Sequence, residues 1–567
     1  MARPSTHDGT VEGHPRAAST PGATLPEWFA AAAHKSGEIT IVDEGGERES
    51  RSFERLLEEG ASVGAGLVTR GIRPGDRVAV AGETSFDFIL GCLGAWHAGA
   101  LVVTVPVPPA RALSRDWSRV GGSLLARVAA SVFLAANERM ALPEGTTAIP
   151  LADLPRGRSR AADVAPDEPA AIQFTSGTTF ASRGAVLSHR AVVAYLSSLE
   201  RAMGYVPTEE FVCWLPLYHD LGFYSHVVAA LGLGMPLTLM KTKQFLADPG
   251  SWLIELSRAR AHHSAAPNFA FGLVSRSIGT GMSSSVDLSS MRGLISGGEQ
   301  INPSSVRAFL ELAVPLGLDP SSFVGGYGLA EAVCGVTTRR PGLGLLTDIV
   351  NRDELASGKA TPAPSDTVGT SEFASVGTPF PDVELEIRGS SGETLGEREV
   401  GEIFLRGPML MDAYLDDPER TDEVLVDGWL RTGDLAYQAG GDTFVTGRVK
   451  DMIIVRGQNF FPEDIERIVE RIPGVRKGCS AAVALRRRET EGIGLVVETR
   501  LESVADKESC ERQISREMWR ETGLIPDRVL LVPPGSLPKT TSGKLQRSRV
   551  GRLLQRAEGE IVELANE

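Results

Sequence analysis

Short apolar runs alternate with helix-period segments through the N-terminal half of the chain. Arg77–Ala81 predicts a strand, 85–98 a helix and Leu101–Val105 a second strand. That order is the grammar of βαβ units, in which a helix carries the chain between parallel strands. It returns at 212–215, at 236–240 after an intervening helix, and at Gly293–Ser296 before a helix beginning near Pro303. The pattern predicts an α/β fold with a large N-terminal body built of βαβ layers. From about Asp382 it changes to short alternating strands such as 383–387 and 402–405, which predicts a β-rich subdomain over about 376–448. A basic, helical segment follows residues 447–451, long enough for a small α/β domain.

Two stretches stand outside this alternation. Residues 1–24 are rich in Pro, Gly, Ser, Thr and His without an apolar run, and read as a disordered leader. Residues 339–371 are rich in Gly, Pro, Ser and Thr around a short helical core at 348–356, and a connection of that length is either functional or mobile. Its helix packs on a neighbouring domain or is solvated; the pattern allows both.

Size and charge narrow the picture. A chain of 567 residues exceeds what one hydrophobic core organises, so at least two domains are expected. A formal charge of −14 argues against a general binder of nucleic acid or anionic membrane, surfaces that reward excess Lys and Arg. Residues 221–240 approach the length of a membrane span but contain Ser225, His226, three glycines and Pro236, so they predict a buried helix and a strand. The five cysteines, at 92, 213, 334, 479 and 510, have no metal-ligand spacing, which fits a reducing cytoplasm.

Candidate chemistry lies in five segments. Phe174-Thr175-Ser176-Gly177-Thr178-Thr179-Phe180-Ala181-Ser182-Arg183-Gly184 offers hydroxyls, glycine N–H groups and a cation that can wrap phosphate, although such runs are also plain loops; it lacks the Walker pattern. Gly326-Tyr327-Gly328-Leu329-Ala330-Glu331 offers an aromatic face for a purine and a carboxylate for Mg²⁺, or else a core tyrosine and a solvated acid. Trp429-Leu430-Arg431-Thr432-Gly433-Asp434 puts an acid after a tight turn, where it can accept two ribose hydroxyls or simply cap the turn. Gly447-Arg448-Val449-Lys450-Asp451 is a polar break before an apolar strand, and 457–466 opens a helix. Finally, Pro538-Lys539-Thr540-Thr541-Ser542-Gly543-Lys544-Leu545 presents lysines on a Gly/Ser loop, solubilising or able to reach a carboxylate and a phosphate together.

All five occur in one chain and in one order, and in this the sequence resembles the acyl-adenylate-forming superfamily of AMP-binding enzymes over nearly its whole length beyond residue 25. The resemblance implies an N-terminal adenylate-forming domain at 25–448, a hinge at 449–451 and a mobile C-terminal domain at 452–567. It implies ATP and Mg²⁺ as cofactors and a carboxylic acid as substrate. Thr175, Ser176, Gly177, Thr178, Thr179 and Gly184 match the family's phosphate motif, joined at the nucleotide by Gly298, Glu299, Gly326, Tyr327, Gly328, Asp434 and Arg448. Lys544, Glu331, Arg183 and His219 are the implied catalytic side chains, with Glu331 on Mg²⁺, Lys450 at the hinge, and Asn268 and Gly297 at an acyl pocket lined mostly by apolar groups. Phe180 stands where the family has glycine and Ser182-Arg183 where it has Pro-Lys, which predicts a working but slower phosphate loop.

Within the superfamily, Trp214-Leu215-Pro216-Leu217-Tyr218-His219-Asp220-Leu221-Gly222, Ala266-Pro267-Asn268-Phe269-Ala270, Ala330 and residues 456–466 resemble fatty acyl-AMP ligases more than acyl-CoA synthetases. The 339–371 stretch sits near an insertion by which that branch restrains its C-terminal domain. The branch implies transfer of the acyl group to the phosphopantetheine thiol of an acyl carrier protein or of a polyketide or peptide synthase carrier domain. An acyl-CoA synthetase and a non-catalytic nucleotide-binding homologue are the alternatives.

Overall fold

The helix expected over 85–98 runs over Phe86–His97, started by Ser85, whose hydroxyl accepts the Phe88 N–H at 3.3 Å. Its flanking strands, Arg77–Ala81 and Leu101–Val105, pair in parallel, as a right-handed crossover requires. The computed structural model describes residues 23–35, 37–105, 128, 130–135, 148–175, 183–277, 286–365, 367–455, 458–486, 491–539 and 545–556. All but the last two residues of the expected leader lie outside these.

The fold is α/β, as the alternation predicts. One sheet has seven strands, in the order Ala413–Tyr414, Gly184–Ser188, Pro169–Phe174, Leu101–Val105, Arg77–Ala81, Val132–Ala135, Ala148–Pro150. A second has nine, with Phe323–Gly328, Gly293–Ser296, His263–Ala266, Phe211–Cys213, Leu237–Met240 and Glu38–Val42 running parallel through its middle. Their central strands are buried on both faces, and side chains from Leu25 to Ala436 join in one hydrophobic cluster between and around the two sheets. The β-rich part is a five-stranded antiparallel sheet of Glu384–Arg388, Gly401–Arg406, Leu425–Val426, Trp429–Ala439 and Asp442–Arg448. Beyond the single turn Val449–Asp451, a three-stranded sheet (Val475–Arg486, Glu491–Thr499, Arg528–Val532) carries the helices Pro462–Val469, Val504–Thr522 and Arg547–Arg556 around two further apolar clusters.

Two elements differ from the sequence pattern. The helix expected at 348–356 is a strand, Thr347–Asn351, followed by a short helix, Arg352–Ala356. Asn351 caps that helix by accepting the Glu354 N–H at 3.0 Å, and the strand pairs antiparallel with Thr370–Ala374 to make a hairpin. The run 221–240 does hold buried helix and then strand, but its helix is irregular: a turn at Asp220–Gly222, a π-helix at Phe223–Val228, and an α-helix at Ala229–Leu233 ended by Gly234 at φ 73°. Among the described residues no helix is long and apolar enough to cross a membrane.

Candidate functional site

The strands Pro169–Phe174 and Gly184–Ser188 form a hairpin whose feet are Thr175 and Arg183. The Thr175 N–H donates to Arg183 O at 2.8 Å and the Arg183 N–H to Thr175 Oγ1 at 3.1 Å, which sets both side chains at the rim of a large cavity. Ser176, Gly177, Thr178, Thr179 and Phe180, between those feet, lie outside the described residues. Gly184 is held tight: a Cβ there would meet Ile172 Cγ2 at 2.7 Å. The Arg183 guanidinium lies 3.7 Å from Asp417 and 5.6 Å from the ring centre of Tyr414.

The cavity is also lined by a charged network. Asp434, 4% exposed, accepts the Tyr327 hydroxyl on Oδ2 at 2.6 Å and Arg448 Nε on Oδ1 at 2.7 Å. Asp434 and Arg448 are direct cross-strand partners, so the sheet register itself makes the pair. Asp434 sits inside the strand Trp429–Ala439, not after a free turn. The irregularity read as a turn is a register shift opposite Glu402 and Phe404, with Gly433 at φ 74°. Burial, reinforced by the Asp434 charge, pushes the Tyr327 phenol well above its ordinary pKa, so it stays a donor; Asp434 likewise raises Arg448.

Glu331 follows on the turn Ala330–Ala332, where its Oε1 accepts the Tyr414 hydroxyl at 2.7 Å. Tyr414, which sequence reasoning passed over, is kept protonated by burial and by Glu331. Gly326 and Gly328 flank Tyr327 at the end of a central strand; a Cβ on Gly328 would collide with Cys334 O. Gly297 packs where a Cβ would lie 3.2 Å from Gly326 O, and Gly298 has φ 81°. Beside them Glu299 Oε1 accepts the Phe269 N–H at 2.6 Å, and Asn268 Oδ1 accepts the Asn302 N–H at 2.9 Å. Lys450, on the turn after Arg448, also lines the cavity, its pKa lowered by burial and then by the Arg448 charge.

One expected side chain does not join this group. His219 caps the turn at Asp220–Gly222, its Nδ1 2.6 Å from Asp220 Oδ1; Asp220 and Leu221 line the cavity and His219 does not. Lys544 lies outside the described residues, although the Leu545, Gln546 and Arg547 that follow it line the cavity.

The cavity measures about 1730 Å³ and runs from this wall into the body between the helix His189–Met203 and the strand His263–Ala266. Leu199, Met203, Phe211, Phe269 and Leu273 line that end, in keeping with an apolar acyl pocket, but so do Tyr195, Ser225, His226 and Cys334. Only the polar interruption of the 221–240 run marked two of these in the sequence.

The hairpin Thr347–Ala374 docks on the segment beyond residue 451. Arg352, 7% exposed, donates to Glu521 O at 3.0 Å and to Thr370 O at 2.7 Å, and it lies 3.7 Å from the Glu521 carboxylate. Asn459 Nδ2 donates to Ala356 O at 3.2 Å and Arg467 to Glu372 O at 2.8 Å. An apolar cluster of Val350, Leu355, Phe373, Tyr437, Phe444 and Phe461 seals the contact. Of the two readings open for the helix in this stretch, packing on a neighbour is the one observed.

Comparison with known proteins follows the same division. Residues 28–415 match the AMP-binding enzyme family, and residues 450–560 match the AMP domain of Disco-interacting protein 2-like proteins. A Caulobacter vibrioides protein provisionally named as an acyl-CoA synthetase is 31% identical over 97% of this chain and 97% of its own length. The long-chain-fatty-acid AMP ligase FadD26 of Mycobacterium bovis is 32% identical over 90% of this chain and 93% of its own. A structure from a study of fatty acyl-adenylate ligases of E. coli and L. pneumophila superposes with a TM-score of 0.89 at 30% identity, covering 94% of this chain and 98% of that one.

Proposed function

Because the chain belongs to the AMP-binding enzyme family and is an acyl-adenylate-forming ligase that uses ATP, we propose that it activates a fatty acid and passes the acyl group to a carrier-protein thiol. The observation that carries this reading is a single cavity in which a phosphate-loop base, the Tyr327–Asp434–Arg448 network and Glu331 share a wall with a buried acid pocket.

In this reading the acid's carboxylate attacks the α-phosphorus of ATP, a carboxyl-oxygen–phosphorus bond forms, and pyrophosphate leaves. Two anions must approach, so charge has to be offset where it grows. Arg183 and the hydroxyl loop take the outgoing phosphates, and Lys544 takes the carboxylate and α-phosphate oxygens. Tyr327 offers its ring face to adenine. Asp434 keeps lone pairs for the ribose hydroxyls, since a carboxylate has about four acceptor sites and two are engaged. Glu331 gives Oε1 to Tyr414 and presents the single carboxylate that suits Mg²⁺ held mainly by phosphate oxygens. When bound, the ion would neutralise phosphate charge. Residues 449–451, with Lys450 at their centre, are the hinge about which the domain 452–567 turns against 25–448 after adenylation.

The docked hairpin supports a carrier as the acceptor. A C-terminal domain held by Arg352, Asn459 and Arg467 is restrained from the pose that free CoA would need, which favours a thiol delivered by a carrier. A carrier protein or synthase carrier domain is therefore the proposed partner. The likeness to the Caulobacter protein keeps an acyl-CoA synthetase as the second reading. Purified protein given ATP, Mg²⁺, a fatty acid and either CoA or a holo-carrier protein decides between them: acyl-carrier is expected, and efficient acyl-CoA formation overturns the carrier assignment. Absence of carboxylate-dependent pyrophosphate release from folded protein would overturn adenylation itself.

A further inference from the structure

The buried end of the cavity holds polar groups that adenylation does not use. Ser225 and His226 stand on the π-helix Phe223–Val228, and Tyr195 reaches them from His189–Met203. A π-helix widens one helical turn at a cost in hydrogen bonding and occurs mostly at functional sites. Here it turns two polar residues of an otherwise apolar run into the cavity, where both stay buried, His226 at 2% exposure.

The protons at this end can be assigned. Ser225 donates to Cys334 Sγ at 3.2 Å and lies 2.6 Å from the Tyr195 hydroxyl, so these side chains satisfy one another. His226 Nδ1 lies 2.8 Å from Leu221 O, which can only accept, so Nδ1 carries the ring proton. Burial, against that hydrogen bond and with help from neighbouring His263, pushes the imidazole pKa down to about 4, which leaves the ring neutral and Nε2 a bare acceptor. His263 turns its Nε2 to Glu209 at 2.8 Å, and Glu209 is further engaged by Arg292 at 2.6 Å and the Val206 N–H at 3.1 Å. The Glu209 carboxylate beside this cluster is thus already committed.

An apolar chain end would leave His226 Nε2 unmet in a buried place, which is costly. We infer that the Tyr195–Ser225–His226 cluster is a subsite for a neutral hydrogen-bond donor, a hydroxyl carried on the distal part of the acid, with His226 Nε2 accepting its proton. The inference rests on the proposed activation of a carboxylic acid in this cavity and names its substrate class: hydroxylated acids in preference to plain ones.

The test is carboxylate-dependent pyrophosphate release with matched acids: hexanoic, octanoic, decanoic and dodecanoic acids against their ω-hydroxy counterparts, and phenylpropanoic against para-hydroxyphenylpropanoic acid. For the pair of fitting length, the hydroxylated member is expected to have a kcat/KM higher by about tenfold or more. His226→Leu is expected to bring that ratio to about one, and His226→Gln, which keeps an acceptor, to preserve most of it. Should the leucine variant fail to fold, His226→Phe is read in the same way and is expected to lower the ratio. Release without preference in every pair, or a preference that survives His226→Leu or His226→Phe, overturns the subsite while leaving adenylation standing. Release with no acid at all overturns the adenylation reading and the subsite with it.

Discussion

At the nucleotide wall, polar side chains hold one another by charge: Asp434 sits between a phenol and a guanidinium, both within 2.7 Å. At the acid end of the same cavity the polar side chains are neutral and are satisfied in part by backbone, hydroxyl and sulfur partners. The first arrangement tolerates loose packing but not the loss of a charge. The second tolerates no gained charge and depends on an irregular helix to aim it. A cavity that must bind triphosphate beside an apolar acid needs both, because fixed charges at the acid end would favour water over substrate.

The difference is broken most sharply at Asp434. Asp434→Asn is expected to lower kcat/KM for ATP by about a hundredfold to a thousandfold, the kinetic counterpart of removing one member of a buried charged pair. An unchanged ATP value in a steady-state assay would mean that the wall does not work by charge. The acid end is tested by pH. With the His226 pKa lowered from 6.5 to about 4, the unfolded chain binds a proton in that window that the folded chain refuses, so stability falls as pH drops through it. Urea unfolding of wild type and His226→Gln should therefore show the gap moving in favour of the variant by up to about 3 kcal/mol toward pH 4. A gap independent of pH would place a charged or solvated imidazole there.

A smaller effect is expected where the hairpin meets the C-terminal segment. Arg352→Ala removes buried hydrogen bonds to Glu521 O and Thr370 O and should cost about 2 kcal/mol in thermal unfolding, with faster proteolytic nicking near 449–451. Unaltered nicking would detach the hairpin from any restraining role. The least effect belongs to the partly exposed Arg183–Asp417 pair, 3.7 Å apart: Arg183→Lys should change stability by less than about 0.5 kcal/mol in the same measurement.

The residues of the proposed nucleotide wall could be singled out in the sequence because they fall in short motifs. Strands such as Arg77–Ala81 and Gly293–Ser296, and the helix Pro303–Ala313 with proline at its first position, were legible from period and caps. The acid end was not. The six residues Phe223–Val228 are too few for a period to distinguish a π-helix from an α-helix, and Tyr195 meets Ser225 only through tertiary packing. The strand Thr347–Asn351 was read as helix because the acidic pair Asp353 and Glu354 that starts the true helix sits inside the window; Asn351 as its cap was the missed signal. Asp434 was identified as a residue but put after a turn, because a bulge and a turn share the Thr-Gly signature.

The apolar clusters beyond residue 451 draw on side chains from Ile453 to Leu554, whereas one small cluster stitches Val350, Leu355 and Phe373 to Phe461. For recombination between relatives, the heritable cassette is consequently split in the gene. A transplanted C-terminal segment brings its own cores, yet meets a foreign clasp unless residues 347–374 travel with it from the same parent.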